Sequence, residues 1–273
     1  MVSLENYVHD LKFQDGIWHA IEKEKLSYPD DGNDLYYEIE DQSFWFINRN
    51  KIIHEVVKKY SIEGPIFDVG GGNGYVSKNL CNNGYEAVLV EPCIDGCINA
   101  RKRDLKNIIN SNFDINSFNP NSIPNIGIFD VLEHIADQNK YLDGINKLIL
   151  PNGRLFITVP ALSGLWSEED NQAGHYRRYR IMLLHKLFEN CGFEVLYKTH
   201  FFSFLVLPIF LFRTIPSIFD VYYISSKKSK NQHLSSSHTN KLLDLLMKFE
   251  LQKVKKNKSI ILGSSILLVA RKR

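Results

Sequence analysis

The stretch IFDVGGGNGYVS, Ile66–Ser77, sets an apolar run directly against four glycines within positions 70–74. Glycine costs conformational entropy on folding, so this density implies unusual backbone angles or close approach to a ligand. An apolar strand that ends in glycines and leads into a helical pattern is how nucleotide sites begin in α/β sheets. The spacing discriminates among such sites. A dinucleotide site needs G-x-G-x-x-G, which no register of GGGNGYV supplies, and a phosphate loop needs a Gly-Lys-Ser/Thr that does not follow. What stands here is Asp68-x-Gly70-x-Gly72-x-Gly74, an acid two positions before a G-x-G-x-G. The Asp68 carboxylate would repel phosphate and welcome an ammonium group. A second acid, Glu91, ends the next apolar run and is placed to accept hydrogen bonds from both hydroxyls of a ribose. Together these residues describe an adenosine with a cationic amino-acid tail and no phosphate.

Working outward, the chain alternates strand and helix patterns, with additions at both ends. Residues 1–62 read as a helical, aromatic-rich cap, in which Ile52, Ile53, Val56, Val57 and Tyr60 recur at helical spacing. Residues 63–201 read as the cofactor-binding core: strands at 65–69, 86–91 and 108–112, another in NIGIFDVLEHI, then RLFITVP and GFEVLYKTHF. Helices are expected at 74–83, 94–104, 138–150 (ending in the turn PNG) and 180–191. Residues 202–257 read as an insertion, and SSILLVARK within 258–273 as a last core strand. This alternation predicts an α/β fold with a mostly parallel sheet and helices on both faces. Ligands of such sheets bind beyond the carboxyl ends of the strands, which puts the glycine stretch on the ligand side.

A chain of 273 residues with 44% hydrophobic content can bury a substantial core. A net charge of +2 does not announce a nucleic-acid binder, and no nucleic-acid partner is expected. Cys81, Cys93, Cys97 and Cys191 form no paired clusters, so a reducing cytosol is the expected compartment. MVSLENYVHDLKF lacks the basic start and apolar centre of a signal peptide.

The ordered set DVGGGNG, VLVEP, FDVLEHI, LILPNGRLFITVP and GHYRRY resembles the class I S-adenosylmethionine-dependent methyltransferases. The resemblance implies a Rossmann-like, seven-stranded sheet whose last strand is antiparallel and lies between strands five and six. It implies S-adenosylmethionine as cofactor and S-adenosylhomocysteine as product. Carried over residue by residue, Asp68 and the Gly70 backbone would hold the methionyl amine, and Gly72 and Gly74 would let the backbone approach. Glu91 would take the ribose hydroxyls, with Pro92 beside the adenine. In SNFDINSF, Asn112 or Asp114 would accept from the adenine amine and the Phe113 amide would face a ring nitrogen. Phe129 and Asp130 would lie near the methionyl tail. Arg49 would pair with the cofactor carboxylate or stand as a plain helix-surface arginine.

A sulfonium is an activated donor, so the protein mainly aligns acceptor, methyl and sulfur in line. A hydroxyl acceptor must also lose a proton, and histidine titrates near neutrality. His134 in LEHI and His175 in GHYRRY both fall on the ligand side; the competing reading of His134 is a packing residue that shapes the pocket. A metal held by Glu133, His134 and His175 is conceivable from these residue types, but no resident metal is expected. Tyr176, Arg177, Arg178 and Tyr179 are candidate acceptor contacts, arginine for phosphate or carboxylate and tyrosine for stacking, against the alternative of a solvated face.

The apolar run Phe201–Phe212, interrupted only by Ser203 and Pro208, is too short to span a bilayer. It reads as buried core, as a lid over an apolar acceptor, or as a peripheral membrane contact through 201–223 aided by Lys227, Lys228 and Lys230. The following helix is expected to gather Leu242, Leu243, Leu246, Phe249 and Leu251 on one side. This insertion and GHYRRY resemble bacterial methyltransferases of cell-surface glycan or lipid-linked sugar pathways. The expected function is methyl transfer to a hydroxyl, or an amine, of a small, sugar or lipid-linked acceptor, in the cytoplasm or at the inner face of the membrane. The alternatives are a non-catalytic cofactor-binding partner subunit and a methyltransferase acting on protein or nucleic acid.

Overall fold

Parallel strands covered on both faces read as unbroken apolar runs, and the strands around the glycine stretch are of this kind. The computed structural model describes residues 2–20, 32–114, 116–219 and 237–273. Its strands are β1 (Leu11–Gln14), β2 (Ile17–Ala20), β3 (Ile66–Val69), β4 (Ala87–Val90), β5 (Ile108–Asn110), β6 (Ile123–Phe129), β7 (Ile149–Pro160), β8 (Phe193–Phe201) and β9 (Ser265–Lys272). They form one nine-stranded sheet in the order β1-β2-β5-β4-β3-β6-β7-β9-β8. Every residue of β3, β4, β5 and β6 is buried. β9 is antiparallel to both β7 and β8 and lies between them, while the other core pairs are parallel. The seven-stranded core with an inserted antiparallel last strand is therefore as the sequence implied.

Alternation along β3 divides the core into two layers. Phe67 and Val69 face the layer that α5 (Gln138–Leu148) covers with Leu142, Ile145 and Leu148, and α7 (Ile181–Asn190) with Leu184 and Phe188. Ile66 faces the other, covered by α2 (Phe44–Tyr60) through Ile52, Ile53, Val56 and Val57, and by α3 (Tyr75–Asn82) through Val76 and Leu80. α4 (Ile94–Lys102) closes the β4–β5 side with Cys97 and Ala100. The strand order turns back on either side of β3, so a crevice opens at its carboxyl end.

The N-terminal segment corrects the sequence reading. Its second half is helical, with α1 at Gly32–Ile39 followed by α2, but β1 and β2 form a hairpin registered Leu11↔Ala20, and β2 extends the sheet by pairing with β5 at Trp18↔Ile109. The turn is Asp15-Gly16, both with positive φ (51° and 77°), a pairing favoured in two-residue hairpins because its twist matches that of the strands. The PNG turn also differs: it is folded into β7 as a bulge, so that Ile123↔Ile149 is followed by Asn125↔Arg154. A Cβ on Gly153 would lie 2.6 Å from Ile149 Cγ1 and 2.8 Å from the Leu150 carbonyl, which explains glycine there.

After β8, Phe202 turns the chain in a left-handed conformation, and helical backbone follows through Ser203–Leu205, α8 (Val206–Ile209), a π turn at Phe210–Thr214 and α9 (Ile215–Ile218). This run is not buried core. Leu207 is 63% exposed and Phe212 75%, although Phe204 packs against Phe44. Lys227, Lys228 and Lys230 lie outside the described residues. α10 (Ser237–Lys255) packs against α2, and among its described side chains Met247, Glu250 and Val254 are buried with Leu251 packed beside them, whereas Leu246 and Phe249 of the expected apolar side point outward and the Leu242 side chain lies outside the described residues. Glu250 accepts from the backbone N–H groups of Phe202 and Ser203 at 2.7 and 2.8 Å and from Ser203 Oγ at 2.5 Å, so it caps the insertion's first turn.

Glu250→Ala leaves those donors without an acceptor in a buried place. Urea unfolding is expected to show a loss of about 2–3 kcal/mol, with Glu250→Gln recovering part of it. An unchanged midpoint would mean that α10 does not hold the insertion.

Candidate functional site

The carboxyl end of β3 delivers Asp68, which is fully buried. Its Oδ2 accepts from Ser77 N at 3.0 Å and Ser77 Oγ at 2.7 Å, tying β3 to α3, while Oδ1 is buried without a hydrogen-bond partner. Burial pushes the Asp68 carboxyl up, against the hydrogen bonds from Ser77 and the charge of Arg49. An orphaned buried carboxylate oxygen is costly and would be satisfied by a cationic amine, which fits the expected methionyl group.

Gly70, Gly72 and Gly74 all have positive φ, and the Gly70 N–H is held by the Val90 carbonyl at 2.8 Å. Gly71 is required sterically, because a Cβ there would lie 2.6 Å from Asp68 Oδ2. Gly74 differs from its expected role. A Cβ there would meet Leu105 Cδ1 at 2.5 Å and Ala100 Cβ at 2.9 Å, so it serves close packing of α3 on α4 and faces the protein interior.

Glu91, only 6% exposed, accepts from Gly72 N through Oε2 at 2.8 Å and from Cys93 N through Oε1 at 2.9 Å. Burial pushes it up to about 7 despite those two hydrogen bonds. Each oxygen keeps a second lone pair for a ribose hydroxyl. Asn110, which the sequence reading missed, bonds the Glu91 and Pro92 carbonyls at 2.9 Å each and fixes this turn. Half-buried Pro92 and Asn112 border the same rim; Phe113 packs on Phe118 with centroids 4.7 Å apart. Asp114 Oδ1 accepts from Asn116 N at 2.9 Å within its own turn.

Arg49 is not a surface residue. It is buried, paired with Asp130 at 2.5 Å, bonded to the Phe129 carbonyl at 2.8 Å, and lies 5.1 Å from the Trp45 ring centroid. The groups that the cofactor carboxylate would have used are thus engaged by the strand end itself. Asp130 holds positive φ (58°) and donates its N–H to the Thr158 carbonyl.

On the acceptor side, the loop after β6 and the GHYRRY segment are stitched together. Tyr179 Oη donates to the Leu132 carbonyl at 3.0 Å, Tyr176 N to the Glu133 carbonyl at 2.8 Å, and Arg177 Nη2 to the Ala136 carbonyl at 2.8 Å. His134 bonds the Gly174 backbone, and its ring lies 4.8 Å from that of His175. Burial, then His175, pushes His134 down to about 4, so its imidazole stays neutral at physiological pH. His175 Nδ1 is 2.9 Å from Asp170 Oδ1, and Arg178 Nε donates to the same oxygen at 2.8 Å. Burial would raise the Asp170 carboxyl, but these bonds outweigh it and hold it below the usual range. Glu133 is buried and pushed well up by burial and by Asp130. Arg178 and Tyr179 therefore build the site from within, while Tyr176, 60% exposed, and Arg177 stand at its edge.

A cavity of about 530 Å³ opens beyond β7 and β8, lined by Leu162, Leu165, Arg180, Val206, Leu207 and Phe210. Its walls come from the loop after β7 and from the insertion. Of the three clustered arginines Arg177, Arg178 and Arg180, it is Arg180 that lines this cavity.

A family model described as "Methyltransferase domain" matches residues 42–198. No curated protein matches the chain. Among solved structures, Haemonchus contortus phosphoethanolamine N-methyltransferase 2 in complex with S-adenosyl-L-methionine is 19% identical, with a TM-score of 0.55 over 91% of this chain and 58% of that one. The chain thus spans 58% of that relative's length. A SAM-dependent methyltransferase from Archaeoglobus fulgidus is 14% identical, with a TM-score of 0.56 over 89% of this chain and 100% of that one. These likenesses are of fold.

In the expected role of Glu91 a ribose hydroxyl would donate to its ionised form, whereas Glu91 without ligand carries its proton up to about pH 7. Binding therefore releases a proton, and S-adenosylmethionine affinity is expected to fall as pH drops below about 7, by up to about tenfold per unit. Asp68 acts in the same direction, so Glu91→Gln should weaken binding and shallow the slope rather than abolish it. Calorimetry from about pH 6 to about pH 8 checks this; identical slopes in both proteins would remove Glu91 from the ribose site.

Proposed function

Since the chain belongs to the methyltransferase-domain family, we propose that it moves a methyl group from S-adenosylmethionine to a hydroxyl of an acceptor with an apolar portion, releasing S-adenosylhomocysteine. The observation that carries the acceptor class is the cavity of about 530 Å³ walled by Leu162, Leu165, Val206, Leu207 and Phe210. Its lining is predominantly apolar, with Arg180 as the charged group suited to an anionic substituent of the acceptor.

The cofactor supplies an electrophilic methyl on a sulfonium. Asp68 holds the ammonium of its amino-acid tail, and Glu91 orients the ribose against the glycine turn. An acceptor oxygen on the rim above β6 is then in line, and the histidine pair assists loss of its proton. The Asp170 carboxylate fixes the His175 ring. Arg178 fixes Asp170 in turn. The retained acid pair on the cofactor side supports an enzyme over a non-catalytic partner subunit.

Leu207, Phe210, Leu211, Phe212, Ile218 and Phe219 are all at least 40% exposed on the same insertion. Among the described residues no helix is long and apolar enough to cross a membrane. The reading is therefore a peripheral contact with a lipid surface, from which a lipid-linked acceptor would enter.

Methyl transfer to long-chain alcohols, compared with short alcohols and matched amines, tests the reading through S-adenosylhomocysteine release. Leu207→Asp, at an exposed position, is expected to raise KM for the long-chain acceptor at least about tenfold while cofactor affinity stays unchanged. His175→Ala is expected to lower kcat about a hundred-fold or more. Equal use of short and long acceptors would overturn the cavity assignment, and preference for the amines would overturn the hydroxyl.

A further inference from the structure

Glu133, His134 and His175 place a carboxylate oxygen and two imidazole nitrogens within 4.8 Å of one another. We propose that these three residues bind a divalent transition cation of the zinc type, which takes the acceptor oxygen as a further ligand. Two histidines and one carboxylate are a donor set that such ions favour, and catalytic sites with three protein ligands keep a position open for water or substrate.

Two observations beyond proximity point to a ligand. Glu133 is 1% exposed, and its Oε2 is buried without a hydrogen-bond partner. A carboxylate oxygen left so is costly, and a cation at the cluster would satisfy it. The second is the support behind the two rings. His175 turns Nδ1 to Asp170 at 2.9 Å, and His134 bonds the Gly174 backbone. His175 therefore has one nitrogen fixed by an outer carboxylate, which is how metal-bound histidines are held. Asp170 is itself held by Arg178 and by the Ser167 N–H at 2.9 Å, so the support is two layers deep.

The backbone keeps the set together. Tyr176 N to the Glu133 carbonyl and Tyr179 Oη to the Leu132 carbonyl fix residues 132–134 against 174–179. Ligands about 2.1 Å from one ion at tetrahedral angles stand about 3.4 Å apart, so side-chain rotations of about an ångström close the set. His134 and His175 are half-buried, which leaves the site open on the side where the acceptor would arrive.

The inference deepens the proposed function. A cation there would acidify an acceptor hydroxyl and release its proton to solvent, so the histidines would assist proton loss as ligands. Its test is independent of methyl transfer. Cobalt(II) chloride alone is titrated into the full chain and followed by visible absorption and calorimetry. One equivalent is expected to bind with d–d bands of low coordination number. Glu133→Gln and His175→Gln should each weaken binding at least about tenfold, and Asp170→Asn, acting through His175, by about ten- to a hundred-fold. Circular dichroism establishes that each variant is folded. Binding that persists unchanged in folded Glu133→Gln and His175→Gln belongs elsewhere and overturns the site, as does failure of the wild-type chain to bind. Absence of methyl transfer with cobalt binding intact would count against the proposed reaction and leave the site standing.

Discussion

A single buried guanidinium makes the acidic floor of this protein possible. Arg49 is paired with Asp130 at 2.5 Å, and its charge also pulls down Asp68, Glu133 and Glu40, which burial pushes up. Without it the buried Asp68 would face several kcal/mol of desolvation with no compensating charge, and Glu133 would keep Arg178 alone. Arg103, through its pair with Glu40 at 2.8 Å, relieves only the outermost. The acids still outnumber the cations around the crevice. Such a floor is complementary to a ligand with both an ammonium and a sulfonium, and hostile to phosphate.

Arg49 can do this because of where α2 puts it. It precedes Ile52, Ile53 and Val56 by three, four and seven positions, so it stands on the stripe that packs against the sheet. That spacing was visible in the sequence, and it argues against a surface arginine. The wider fold was legible for a similar reason: strands buried on both faces leave unbroken apolar runs, and β3, β4 and β6 are such runs. The hairpin β1–β2 escaped because its strands are short and only half-buried, so their pattern is weak. Its one clear signal was the Asp15-Gly16 pair, whose shared positive φ only a tight turn requires.

The candidate site divides along the same line. Asp68, Gly70, Gly72 and Glu91 stand out in the sequence because backbone geometry and charge restrict which residues can stand there. The GHYRRY segment does not, because an arginine or tyrosine that builds a loop looks the same in sequence as one that meets a ligand. In the structure Arg178 and Tyr179 are turned inward: Arg178 braces its own segment through Asp170, and Tyr179 ties that segment to the Leu132 carbonyl 47 residues earlier. Asp170 and Ser77 carried no motif at all; their importance lies in whom they touch.

The insertion adds a constraint that composition alone would not suggest. Its polar groups are used for anchoring: Glu250 caps its first turn, and Arg213 pairs with Glu169 at 2.5 Å. Its apolar side chains, Phe212 and Phe219 among them, are turned outward. Hydrophobic burial alone would rotate such a run the other way, so the anchors hold it against that tendency. The same fixed run presents Val206, Leu207 and Phe210 to the cavity. Surface and cavity wall are therefore continuous on one element. An acceptor with a long apolar portion would meet no polar barrier between them, whereas a wholly polar acceptor would gain nothing from the route.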